Sequence, residues 1–172
     1  MLAGVGIGVG VALRGSAAGS ISLPGRLLGV PKYTGQGARR LDASIARQEV
    51  AVSKGQEVHV AGAFYGNPDP SASGPTFFVG GGRWCGTCRP STTTQIMKAA
   101  TGKGVADARS FPLGPGGGAL VCYSAAVQGG TAIACTWADP RTGGDVVYHG
   151  GAASGLADAA AKTRRILAAI EH

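Results

Sequence analysis

Residues Gly114 to Asp139 read GPGGGALVCYSAAVQGGTAIACTWAD. Two apolar runs of strand character flank a Gln128-Gly129-Gly130 turn, and Cys122 and Cys135 stand at equal distances from it. Pairing the two cysteines centres the turn between Gln128 and Gly129, as a two-residue loop or a four-residue one from Val127 to Gly130. Both are ordinary hairpin lengths, and glycine supplies the positive φ that such turns require. In that register Leu120, Cys122, Ser124 and Ala126 share a face with Thr131, Ile133, Cys135 and Trp137. Val121, Tyr123 and Ala125 share the other face with Ala132, Ala134 and Thr136. Neither face carries charge, which predicts a pair inside its sheet, not at an edge. Opposed cysteines at a non-hydrogen-bonded position are close enough to bridge. Closing so short a loop stabilises by about 3 kcal/mol in chain-entropy terms, less where the turn already restricts the chain. The alternative is two buried free thiols, which pack as small apolar side chains.

The chain of 172 residues has room for one domain with a core of its own. Its 31 glycines and 15% charged residues suit a small-residue, loop-rich fold and not a disordered one. The net charge of +7 allows an anionic partner such as nucleic acid, lipid headgroups or cell-wall polymer. The sixteen Lys and Arg residues are scattered, however, and only two Trp, four Tyr and four Phe are present. Nucleic-acid surfaces cluster their cations and interleave aromatics, so nucleic acid is not an expected partner.

Residues 1–14 open with the uncharged run MLAGVGIGVGVAL before Arg14. Thirteen apolar residues are too few to span a bilayer, and no basic stretch precedes them. The reading is the remnant of a membrane anchor or signal segment, with Ser16-Ala17-Ala18 as a small-x-small cleavage site in the second case. Residues 15–37 form a Gly/Ser/Pro-rich linker whose apolar patch, Ile21 to Leu23 and Leu27-Leu28, is expected to dock. Residues 38–172 form the domain. Ala38, Leu41 and Ile45 predict a helix to about Gln48. Alternation on either side of Lys54-Gly55 predicts a second hairpin ending at Tyr65, and Asn67 to Gly74 reads as a loop. Thr76–Val79, Ala106–Phe111 and Asp145–Tyr148 read as strands, and Ser91–Ala100 as a short helix. The stripe Leu156, Ala159, Ala160, Thr163, Ile166, Leu167 and Ile170 predicts a closing amphipathic helix. The fold class expected is α+β: an antiparallel sheet of about five to seven strands packed with an N-terminal and a C-terminal helix, with a disulfide-bridged central hairpin.

For chemistry, the sharpest run is Trp84-Cys85-Gly86-Thr87-Cys88-Arg89, which resembles the thioredoxin active site. The resemblance implies Cys85 as a low-pKa attacking thiolate and Cys88 as the resolving thiol. Phe111-Pro112 would then stand where thioredoxin's proline faces the dithiol. Only about two dozen residues separate Cys88 from Pro112, too few for the βα unit and strand found there in thioredoxin. The competing reading is a loop closed by a Cys85–Cys88 bridge; four cysteines allow three connectivities, and spacing does not choose among them. His59, His149 and His172 are isolated and no second CxxC follows, so no metal is expected. Gly114 to Ala119 matches a dinucleotide-binding pattern by letter, but it precedes a strand where a phosphate loop follows one. No cofactor is expected, and no carboxylate pair or nucleophile motif points to hydrolysis.

From Gly114 onward the chain resembles the extracytoplasmic domains of uncharacterised membrane-anchored or secreted proteins of actinomycetes. The residues that carry this are Gly117-Gly118, Cys122, the run Cys135-Thr136-Trp137-Ala138-Asp139, the strand Gly144-Asp145-Val146-Val147 and the helix from Leu156 through Arg164 and Arg165. The stretch Gly62 to Pro70 fits as well. The resemblance implies a membrane segment at the N-terminus and a Cys122–Cys135 bridge; a Cys85/Cys88 pair is a departure from it. It brings no known activity. The expectation is therefore a non-enzymatic, membrane-tethered or secreted extracytoplasmic domain in contact with anionic envelope polymer or lipid. The alternative is an extracytoplasmic thiol-disulfide oxidoreductase using Cys85 and Cys88.

Overall fold

The hairpin forms in the register expected from its cysteines. Ala119–Val127 (β6) and Gly130–Ala138 (β7) pair antiparallel with Cys122 opposite Cys135, and Val127 opposite Gly130 leaves the two-residue loop. The computed structural model describes residues 21–40, 42–44, 60–69, 73–83, 105–115, 117–127, 130–139 and 142–170. Within these, Arg26–Leu27 (β1) and Val30–Pro31 (β2) form a two-stranded ribbon. Val60–Tyr65 (β3), Thr76–Arg83 (β4), Val105–Phe111 (β5) and Thr142–His149 (β8) join the hairpin in a six-stranded sheet of order β3-β4-β8-β7-β6-β5, antiparallel throughout. Both hairpin strands lie inside the sheet, as their lack of charge requires. β4 and β8 run several residues beyond the strands predicted from alternation, through Gly80–Gly82 and from Thr142.

The closing helix, Leu156–Ile170, covers one face of the sheet over β6 and β7. Of its predicted stripe, Ala159, Ala160, Thr163, Ile166, Leu167 and Ile170 are buried and Leu156 half-buried. Ile166 and Ile170 are fully enclosed, and burying each contributes about 2 kcal/mol. Asp158 in the first turn accepts from Ser154 N and Oγ and pairs with Lys162 at 2.8 Å, completing the i,i+4 spacing seen in the sequence. The helix is also fastened by a polar contact: Tyr148 Oη lies 2.9 Å from Thr163 Oγ1, both side chains being buried.

Beside the helix, the same face takes the predicted apolar patch. Ile21 and Leu27 are buried in the main core with Tyr65, Phe77, Val79 and Tyr148. Tyr33 N donates to Phe64 O and Gly66 N to Pro31 O, tying the β2 region to β3. Tyr65 Oη donates to Pro24 O, and its ring stacks on Phe77.

The N-terminal helix is only partly as expected. Residues 36–40 and 42–44 are helical, but none of them is buried, so this segment is not packed as the closing helix is. Leu41 and Ile45, two of its three stripe positions, lie outside the described residues. So do residues 1–20, the proposed turn at Lys54-Gly55 and Ser91–Ala100.

The glycine runs of β4 and β8 have a packing reason. Trp137 is 1% exposed, and its indole stands against Gly144 and Gly81 on two neighbouring strands. A Cβ on Gly81 would stand 2.9 Å from the ring. One on Gly144 would stand 2.6 Å from the ring and would also strike the Gly80 carbonyl. No side chain fits beneath the indole. Gly144→Ala should therefore destabilise by about 2–3 kcal/mol, as overpacked cores do; an unchanged urea midpoint would contradict this placement of Trp137. Tyr148→Phe should cost about 1–2 kcal/mol by stranding Thr163 Oγ1. Adding Thr163→Val should recover most of that loss in a double-mutant cycle.

Candidate functional site

Cys122 and Cys135 form a disulfide, with Cα atoms 4.0 Å apart and neither residue exposed. The bridge lies on the helix-covered face, in the same core as Leu120, Trp137 and Ile166. A thiol-exchange partner cannot reach it in the folded chain. Cys85 and Cys88, the pair proposed for redox chemistry, lie outside the described residues. Pro112, the residue set against thioredoxin's proline, follows edge strand β5 and accepts from Arg164 Nη1 at 2.9 Å. Among the described residues no peptide bond is cis, and every neighbouring strand pair of the sheet is antiparallel.

The run Cys135-Thr136-Trp137-Ala138-Asp139 is occupied with structural tasks. Cys135 is bridged, Trp137 covers the glycines and Ala138 is buried. Asp139 closes the β7–β8 turn: its carboxylate accepts from Thr142 N at 2.8 Å and Thr142 Oγ1 at 2.5 Å. Trp137 Nε1 donates to that same hydroxyl at 3.3 Å.

Thr136 leads to the second face of the sheet and to its most perturbed group. Asp145, on β8, is directly paired with Thr136 on β7 and with Gly80 on β4. Thr136 Oγ1 donates to Asp145 Oδ1 at 2.5 Å, and Tyr123 Oη stands 3.5 Å from Thr136 Oγ1. With the threonine proton committed to the carboxyl, the tyrosine is left to donate, so the hydroxyls run in line toward Asp145. Val121 and Ala134, in the same layer, have no exposure, and Tyr123 is 3% exposed. Burial pushes the Asp145 carboxyl up to about 6, against a smaller opposing effect of the Thr136 hydrogen bond. Burial, and secondarily the Asp145 charge, raises the Tyr123 phenol as well, with the Thr136 hydrogen bond acting the other way. A carboxyl perturbed by burial is a mark of functional sites, but structural networks share it. Here the column offers a proton held and released near pH 6, with no ion-pair partner for the carboxylate among the described residues.

His149 lies at the far end of β8 opposite Thr76, and burial lowers its pKa. Among the described residues no group of three metal-ligating side chains occurs. A shallow groove of about 600 Å³ runs between Asp107, Arg109 and Phe111 of β5 and the first turn of the closing helix. It is open to solvent and lined by both signs of charge. The Asp145 column was missed in the sequence. Its signal was the lone carboxyl in a strand, opposite a threonine once the β7–β8 register is known.

Comparison with protein-family models, with curated proteins and with solved structures finds no match to this chain.

The raised Asp145 pKa has a definite sign. A carboxyl that holds its proton more tightly folded than unfolded favours folding when protonated, and that contribution is lost as pH rises through about 6. Asp145→Asn, which keeps an acceptor for Thr136 without charge, should be more stable than the parent at pH 7.5 by on the order of 2 kcal/mol. The difference should shrink toward zero by pH 4. Urea midpoints at the two pH values measure it, and a gap independent of pH would show that Asp145 is not the titrating group.

Proposed function

We propose that this chain is a non-enzymatic domain of the cell exterior, tethered through its N-terminus or secreted, that contacts anionic envelope polymer or lipid headgroups. The observation that carries the reading is the fully buried Cys122–Cys135 bridge in the main core. Such bridges form and persist in oxidising compartments, and this one is enclosed as a structural link and not presented as a reactive one. The sequence resemblance to extracytoplasmic actinomycete domains points the same way. The anionic partner is supported by the charge of +7 and by Arg26, Arg39, Arg40 and Arg165, all at the surface. Tethering rests on the apolar run before Arg14, which lies outside the described residues. Among those that are described, no helix is long and apolar enough to cross a membrane.

The non-enzymatic reading is supported by how the motif residues are used. Every side chain of the Cys135–Asp139 run is engaged in holding the fold. The oxidoreductase alternative rests on the Trp84–Cys88 run alone. An insulin-reduction assay on the Cys85→Ser protein and its parent separates the two, since equal rates at the buffer baseline leave the alternative without support.

Non-reducing peptide mapping of protein taken from the native cell envelope tests the compartment. The expected result is a linked peptide pair joining Cys122 to Cys135, in a chain that sediments with the envelope or is recovered from the medium. Free thiols at both positions would overturn the reading. Reduction should lower stability by up to about 3 kcal/mol, seen as a lower urea midpoint in dithiothreitol.

A further inference from the structure

On the face of the sheet away from the closing helix, a carboxylate without a counter-ion lies beside two aromatic rings. Phe64 on β3 is directly paired with Phe78 on β4; the ring centroids are 5.2 Å apart and both residues are half-buried. The Phe78 ring folds along its own strand onto Gly80, where a Cβ would stand 2.6 Å from it. Gly80 is in turn directly opposite Asp145 on β8. Opposed residues project to one face with Cβ positions about 5 Å apart, so the ring fills the place facing Asp145 that a side chain of Gly80 would take. Asp145 is itself half-buried. Thr136 Oγ1 donates to its Oδ1, while Oδ2 has neither a hydrogen-bond nor an ion-pair partner among the described residues. We propose that Asp145, Phe78 and Phe64 form a binding site for an organic ammonium cation.

The ligand class follows from the combination. A partly desolvated carboxylate is disfavoured until a cation stands against it. Aromatic rings attract cations through their quadrupole, and alkylammonium groups add C–H surface that suits the ring faces. A hard metal ion would require several oxygen ligands, and no group of three metal-ligating side chains occurs among the described residues. An uncharged apolar ligand would leave Oδ2 unmatched. The chain's net charge of +7 opposes a cation only at long range, where salt screens it. The proposal is independent of the cell-exterior reading.

Ligand and proton compete for one carboxyl, so binding depends on pH. The side chains that face Asp145 are Thr136 from β7, Tyr123 beyond it on β6, and Phe78 from β4, with Val147 next along β8. Of these only Tyr123 titrates, and burial raises its phenol above the ordinary value. His149 is four residues further along β8, about 13 Å away, beyond the screening length at physiological salt. With the carboxyl pushed up to about 6, a single competing proton weakens binding about thirty-fold from pH 7.5 to pH 4.5.

An NMR titration of the full chain with n-butylammonium chloride tests the site, against sodium chloride at equal ionic strength. Saturable shifts are expected at the Thr136 and Val147 methyls and not at Ile166, which lies in the core under the helix. Phe78→Leu, which keeps apolar bulk without a ring, should weaken binding about two- to five-fold. Asp145→Asn should abolish it; a urea midpoint at or above the parent's at pH 7.5 shows that this loss is not unfolding. The peptide Gly-Lys-Gly, titrated in the same way, distinguishes two sources of the cation. Saturation by the peptide as well supports the site as a receptor for lysine side chains, and saturation by butylammonium alone supports it as a receptor for free amines. No saturable shift beyond the sodium chloride control, shifts retained in Asp145→Asn, or an affinity equal at pH 4.5 and 7.5 would overturn the proposal.

Discussion

The opposition of Cys122 and Cys135 sets the register on which the other contacts depend. Because side chains in a strand alternate, a slip of one residue between β6 and β7 would exchange the faces of one whole strand relative to the other. The bridge permits one register only. In that register Leu120 and Trp137 reach the core under the closing helix, and Trp137 lies above Gly144 and Gly81. β8 then pairs with β7 so that Tyr148 faces the helix and finds Thr163. These contacts lie on the hairpin strands themselves, on the next strands or in the helix layer, and each is correct only if the pairing at the sulfurs is correct.

The hairpin and the closing helix were legible because their information is local. Symmetry about a turn gives a register, and a 3.6-residue apolar stripe gives a buried face; neither needs knowledge of the rest of the chain. The length of β4 was hidden because Gly80, Gly81 and Gly82 have weak strand propensity and read as a break. Phe78 lies over Gly80, and Trp137 lies over Gly81, the latter a requirement set more than fifty residues away and visible only after folding. Gly144 has the same explanation. The sheet order was hidden for a related reason: β8 inserts between β4 and β7, so β4 finds its neighbour some sixty residues later in the chain.

The candidate site was legible in one half. The cysteine pair of the hairpin stands out by spacing, whereas the Tyr123–Thr136–Asp145 column is assembled from three strands and has no sequence motif. The C-T-W-A-D run illustrates the opposite error. Its residue types suggest a site, but each side chain is already bound within the protein, and its closing aspartate serves a turn. A motif rich in polar and aromatic residues signals constraint. Only geometry tells whether the constraint is chemical or architectural.

The half-buried Asp145 carboxyl then has a reading that needs no reaction. Asp145 sits where its ionised form is disfavoured, which costs stability at neutral pH. The same placement weighs against the wrong register. Were β8 to shift by one residue against β7, Asp145 would turn to the helix-covered apolar face, away from Thr136. A charge desolvated in that layer would cost far more than it does beside Thr136. Thr136 and Asp145 thus act on the β7–β8 pair as the disulfide acts on β6–β7, from the other face and by the opposite means. The bridge stabilises the correct pairing, and the polar pair makes the incorrect one expensive.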